Sequence, residues 1–268
     1  MTLSNIRHLV FDMDGTIYRG KTLFSYTLEA FRILEACGIS WTYLTNNSSV
    51  SAADYVQKIH RLGLPGDKEN LYTSSLATLD FLRKEYPTLS MVYLLGTDSL
   101  KKEFAEAGYR VLSGEDSSEP EIVVVAFDTA LTYAALCKTA WWIKQGKPYF
   151  ATHPDAVCPT DLPTVLVDCG SICDCIASAT GRTPDRVFGK PDRSMIDGIM
   201  HKHGLQPHET GMVGDRLYTD MEMARRAGVI GILVLSGEAT RDDLEKSGLS
   251  PECVFENILE LANAVQKT

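Results

Sequence analysis

Short apolar runs alternate with segments of helical period along almost the whole chain. "IRHLVF" (6–11) has the length of a strand, and residues 25–37 set Leu28, Phe31, Ile33 and Leu34 at roughly helical spacing ahead of Gly38, a helix stop. "SWTYLT" (40–45) predicts the next strand, and "SAADYVQKIHRLGL" (51–64) a helix opened by a serine cap. Strand, helix, strand, helix is the order of a parallel α/β sheet, since parallel neighbours need a crossover and a helix supplies it.

The alternation starts again near Leu76, with "LATLDFLRKEYP" (helix), "MVYLLG" (strand), "SLKKEFAEAG" (helix), "EIVVVAF" (strand), "YAALCKTAWWIKQG" (helix), "KPYFAT" (strand) and a small-residue helix, "SICDCIASATG". It then passes through a strand-like "VFGKP" (187–191), a helix "SMIDGIMHKHGL", the stretch "ETGMVGDRLYTDMEMARRAG", and finally "IGILVLSG" and "ILELANAVQK". The economical arrangement is one α/β core, residues 1–78 and 186–268, interrupted by a second α/β domain over 79–185.

A net charge of -9, with no Lys/Arg run, offers no attraction to nucleic acid or an anionic membrane surface. No window approaches the roughly 20 apolar residues of a membrane span, "MTLSNIR" has no signal-peptide pattern, and seven scattered cysteines suit reduced thiols. A cytoplasmic protein is expected.

The first strand ends in "DMDGT", so Asp12 and Asp14 emerge where ligands bind in open α/β sheets. Two carboxylates about 4 Å apart repel by roughly 1–4 kcal/mol, which asks for a cation or a shared proton. Mg²⁺ fits, because it takes hard oxygen ligands. The bland alternative makes them loop-capping acids, with Gly15 in a turn and Thr16 as a cap. A calcium loop fails, since its sixth and twelfth positions, counted from Asp12, hold Ile17 and Leu23 rather than glycine and glutamate.

Three further stretches also fall at strand ends. "LTNNSS" places Thr45, Asn46, Asn47 and Ser48 as donors for phosphate oxygens, although alone it is a polar loop. "VFGKP" offers Lys190 as a point charge for phosphate or Asp12, although alone it is a surface lysine. "MVGDRLYTD" supplies Asp215 as a third carboxylate for a metal and Asp220 to position its neighbours.

In this order "DMDGT", "LTNN", "GKP" and "GDRLYTD" resemble the four motifs of the haloacid dehalogenase superfamily of phosphotransferases, anchoring about 160 residues of core. The insertion resembles that family's type-II cap. "TSSLATLDFL", "ATHPDAVCPT" and "ATGRTP" are similar to the branch of p-nitrophenyl phosphatases, NagD-like nucleotidases and pyridoxal-phosphate phosphatases. The resemblance implies a Rossmann-like parallel-sheet core with an inserted α/β cap, and a phosphoric monoester hydrolase using Mg²⁺. It implies Asp12 as nucleophile, Asp14 as acid and base, and Mg²⁺ held by Asp12, the Asp14 carbonyl and Asp215. Thr45, Asn46 and Lys190 would bind phosphate and Asp220 would support Lys190 or the metal shell.

The substrate implied is a small phosphorylated metabolite, a sugar phosphate or nucleoside monophosphate, and the family allows a homodimer through the cap. A phospho-receiver module is the rival reading, against which stands an insertion suited to covering a small substrate. The chain departs from its relatives in the cap. His153 stands where they have asparagine, Cys158 where vitamin-phosphate members have histidine, and "DCGS" (168–171) where they have a Gly-Ala-Gly-Ser turn. "CGSICDC" lacks a usual zinc spacing, so Cys169, Cys173 and Cys175 are expected as small buried helix residues, and Trp141 and Trp142 as core or interface.

Overall fold

The computed structural model describes every residue except Met1, Thr2, Glu115, Ser117 and Asp161. The chain packs as two units, one of Met1–Thr45, Val56–Tyr72 and Lys190–Thr268, the other of Asn46–Tyr55 and Thr73–Gly189.

The first unit is built on a six-stranded sheet. In spatial order its strands are Cys253–Phe255, Ile230–Val234, Thr210–Gly214, His8–Asp12, Ser40–Thr45 and Leu71–Thr73. His8–Asp12 runs parallel to both neighbours, with Asp12 opposite Leu44 on one side and Phe11 opposite Val213 on the other. All its residues are buried, which is why it reads as a continuous apolar run: helices cover both faces of a parallel sheet. From this strand the chain steps outward in one direction and later in the other, so His8–Asp12 marks the point where strand order reverses. The helices Thr27–Ala36 and Ile258–Gln266 pack on this sheet and on each other, burying Ala30, Phe31 and Leu34 from one and Leu261, Ala262 and Val265 from the other.

The second unit has its own parallel sheet, in the order Arg186–Val187, Tyr149–Ala151, Ile122–Val125, Met91–Leu95, Arg110–Leu112. Alternate residues feed two separate cores. Tyr93, Leu95, Val123, Val125 and Tyr149 meet Trp142, Ile143, Cys169 and Ile172. Val92, Leu94, Ile122, Val124 and Phe150 meet Leu79, Leu82, Leu100 and Phe104. Each fully buried side chain of this size stabilises by about 1.5–3 kcal/mol.

The chain leaves the first unit at Tyr72 and returns at Lys190, some residues from the expected 78/79 and 185/186. Tertiary pairing sets these points. The helix Ser74–Glu85 packs Leu79 and Leu82 in the second unit, and Arg186–Val187 pairs with Phe150 and Ala151, so the "VFGKP" strand is not a core strand. Residues 46–55 join the second unit through Ser74 Oγ to Asn46 O (2.6 Å), Thr97 Oγ1 to Ser49 O (2.8 Å) and Ala52 N to Glu103 Oε1 (2.7 Å).

Cys169 and Cys173 are core residues as expected, but Cys175 is exposed on the opposite side of its helix, and Trp141 is exposed while Trp142 is buried. Among the described residues all seven cysteines are free, and no helix is long and apolar enough to cross a membrane.

Candidate active site

Three adjacent strand ends in the first sheet carry the predicted residues. Asp12 is the last residue of its strand, Thr45 the last of the next, and Asp215 follows Gly214 on the other side. All three are buried.

Beyond Asp12 the chain turns at once. Ile17 N donates to Met13 O (2.9 Å) and Gly15 N to Tyr18 O (2.8 Å), with Gly15 at φ +89°. Glycine is required here twice over, by the left-handed backbone and because a Cβ would collide with the Asp215 carboxylate. Asp215 is held from the far side: Glu238 N donates to its Oδ2 (2.7 Å) and Ala239 N to its carbonyl (3.0 Å). Its Oδ1 is buried and, among the described residues, has no hydrogen-bond partner.

Lys190 is buried and pairs with Asp12 Oδ1 and, at 2.7 Å, with Asp220 Oδ1. Asp220 is fully buried in a single π-helical turn, Leu217–Met221, where it accepts from Arg216 N (3.1 Å). Gly214 makes this approach possible, since a Cβ there would strike Asp220.

The electrostatics show an excess of negative charge. Burial, then Asp12 and Asp220, push Asp215 up to about 7, and burial raises Asp220 to about 6 against the pull of Lys190. Burial and then Asp12 raise Asp14. Burial works against the Lys190 charge, but Asp12 and Asp220 outweigh it and the amine holds its proton more firmly than an exposed lysine.

Asp12, Asp215 and Asp220 offer carboxylate oxygens within 4.8 Å of one another. Lys190 takes Asp220 Oδ1 and Asp12 Oδ1, so the orphaned Asp215 Oδ1 and the second Asp12 oxygen are the pair offered to a hard divalent cation, which oxygen donors fit.

Asp12, Lys190, Asp215 and Asp220 are thus brought together, with Asp14 two residues on and Thr45 on the neighbouring strand end. Asn46 behaves differently: its side-chain amide donates to Asp155 (3.1 and 3.2 Å) inside the second unit. Two basic residues were not singled out from sequence. Arg216 pairs with Glu238 (3.0 Å) and feels Asp12 and Asp215, and its place directly after Asp215 was the available signal. Lys58 donates to Tyr18 OH (2.8 Å) and bears on Asp14, and nothing in its local sequence marks it.

A doubly wound parallel sheet with a carboxylate–lysine cluster at its reversal point places the chain in the α/β class, with its candidate site at the carboxyl ends of the strands. Residues 9–110 match the haloacid dehalogenase-like hydrolase family and residues 187–261 the related HAD-hydrolase-like family. A 4-nitrophenylphosphatase structure from Thermotoga maritima is 40% identical over 98% of each chain, with a TM-score of 0.92. Human glycerol-3-phosphate phosphatase is 30% identical over 98% of this chain and 92% of its own. A glycerol phosphate phosphatase structure from Mycobacterium tuberculosis in complex with magnesium is 25% identical, covering 99% of this chain and 78% of that one, with a TM-score of 0.87. The chain belongs to the haloacid dehalogenase-like hydrolase family, in the branch that contains the p-nitrophenyl phosphatases.

Proposed function

We propose that the protein is a magnesium-dependent cytoplasmic phosphatase that hydrolyses small phosphomonoesters, sugar phosphates or nucleoside monophosphates, through an aspartyl-phosphate on Asp12. The observation that carries this reading is the meeting of Asp12, Asp215 and the Lys190–Asp220 pair at the carboxyl edge of one parallel sheet. Relatives named for glycerol phosphate and 4-nitrophenyl phosphate support a small monoester, and the free cysteines a reducing compartment.

Magnesium, held by Asp12, Asp215 and the Asp14 carbonyl, would act as a Lewis acid that offsets phosphate charge. Asp12 attacks phosphorus, and the bond from phosphorus to the ester oxygen breaks as Asp14 gives that oxygen a proton. Asp14 then takes a proton from water, whose oxygen attacks the acyl phosphate and frees phosphate and the Asp12 carboxylate. The raised pKa of Asp14 suits the acid half of this cycle. Lys190 keeps a positive charge beside Asp12 so that an anionic nucleophile meets an anionic phosphate, and Asp220 fixes its ammonium. Thr45 and Asn46, consecutive in the chain, supply donors to the phosphoryl oxygens.

Asp12→Asn should abolish Mg²⁺-dependent release of phosphate from p-nitrophenyl phosphate while circular dichroism stays that of the wild type. Retained turnover by that variant would sink the nucleophile assignment.

A further inference from the structure

His153 is wholly buried in the loop that follows the Tyr149–Ala151 strand of the second unit. Its ring stands between two carboxylates: Nδ1 lies 3.6 Å from Asp155 Oδ2, and Nε2 lies 3.4 Å from Asp168 Oδ1. Among the described residues neither ring nitrogen has a partner at hydrogen-bond geometry, so the two carboxylates meet the ring as ion-pair neighbours.

Both carboxylates already hold something else. Asp168 caps the helix Cys169–Thr180, its Oδ1 accepting from Cys169 N at 2.6 Å. Asp155 receives the Asn46 side-chain amide on both oxygens. The cluster is also tightly seated. Gly170 N donates to Asp155 O (2.8 Å), a Cβ at Gly170 would strike Pro154 O, and one at Gly189 would meet the His153 side chain and Asn46 Oδ1.

A neutral imidazole carries one N–H, so either the buried Asp168 carboxylate or the partly exposed Asp155 carboxylate would face a lone pair. The doubly protonated ring turns a donor towards each carboxylate at ion-pair distance, and this arrangement favours the charged form. The ionisable groups facing the ring are Asp155 from its own loop and Asp168 and Cys169 from the helix. Burial opposes the proton, but these neighbours outweigh it and hold His153 up at about 9. One ring nitrogen and an oxygen of each carboxylate do lie within 4.8 Å of one another, but the nearest contacts set the two carboxylates at opposite nitrogens, as a ring with two donors requires.

We propose that His153 is a positioning residue, an imidazolium strut that keeps Asp155 on the amide of Asn46 and so fixes the residue that follows Thr45. Only the last link, from Asn46 to phosphate, rests on the phosphatase reading. The strut's contribution is present below the ordinary histidine pKa and is lost as pH rises through about 9.

The test uses the ¹⁵N-labelled full chain with His153→Gln, Asp168→Asn and the double variant, asparagine being an equally good helix cap. In two-bond imidazole spectra the His153 ring should be doubly protonated near pH 7.5, well above the usual titration point. His153→Gln should move the Asn46 side-chain amide signals and raise KM for p-nitrophenyl phosphate about tenfold with kcat little changed. Adding Asp168→Asn should restore most of that KM, because the second carboxylate no longer needs a donor. A neutral ring near pH 7.5, unmoved Asn46 signals, or ring signals displaced by micromolar Zn²⁺ overturns the strut. Moved signals with an unchanged KM overturn the positioning role and leave the phosphatase reading intact. If Asp12→Asn keeps its activity, that reading fails, while the Asn46 signals still decide the strut.

Discussion

Lys190 serves two buried carboxylates at once, so removing it leaves both uncompensated. Deleting one partner of a buried ion pair costs about 3–5 kcal/mol. Lys190→Met should therefore lower the urea midpoint as well as abolish turnover, whereas Asp12→Asn leaves Asp220 to hold the lysine and stays folded. Asp14→Asn should slow alkyl phosphate hydrolysis by about a hundredfold or more, and p-nitrophenyl phosphate less, because that leaving group needs little protonation. A steady-state comparison of the two substrates checks the acid role.

His8 makes a separate pH prediction. It is buried at the start of the central strand, Nδ1 2.7 Å from Ser40 Oγ and Nε2 3.0 Å from Thr42 Oγ1. Burial, then His203 and Lys202, lower its pKa to about 3. The fold thus excludes a proton that the unfolded chain accepts, so its stabilisation is full above the ordinary histidine pKa and falls by about 1.4 kcal/mol per pH unit as acid is added towards pH 3. Urea midpoints across that window should fall less steeply in His8→Gln.

At the scale of elements, the turn after the first strand is the least tolerant piece. Gly15→Ala has to enter a left-handed conformation and displace Asp215, which should cost about 1–3 kcal/mol and weaken Mg²⁺ binding measured by calorimetry. Gly38→Ala, also at positive φ but with open space around its Cβ, should cost only about 1 kcal/mol and leave metal affinity alone. The long elements were legible because their periodicity is long: "SWTYLT" is a strand over Ser40–Thr45, and the serine before the Ala52–Arg61 helix does cap it, Ser51 Oγ accepting from Asp54 N at 3.2 Å. The hairpins Tyr18–Arg19/Thr22–Leu23 and Val157–Cys158/Leu166–Val167 have two-residue strands, too short to show a period. The π-helical turn that delivers Asp220 has no signature in the sequence, since its extra residue leaves no mark in composition.

For the molecule as a whole, two sheets carry two sets of cores, and damage should stay where it is made. Phe104→Ala removes a fully buried ring from the second unit at a cost of about 3–5 kcal/mol. Scanning calorimetry should show a lowered transition for that unit, and Mg²⁺ affinity measured below the transition should equal wild type, because Asp12, Asp14 and Asp215 belong to the first unit. By itself the sequence determined the α/β class and the strand ends on which Asp12, Thr45 and Asp215 stand, because burial on both faces writes apolar runs and a ligand edge breaks them with polar residues. Tertiary structure alone decided which sheet each strand joins, that Lys190 bridges Asp12 and Asp220, and that His153 meets Asp168. Those facts depend on backbone pairing and on charges distant in sequence, and local periodicity carries no information about either.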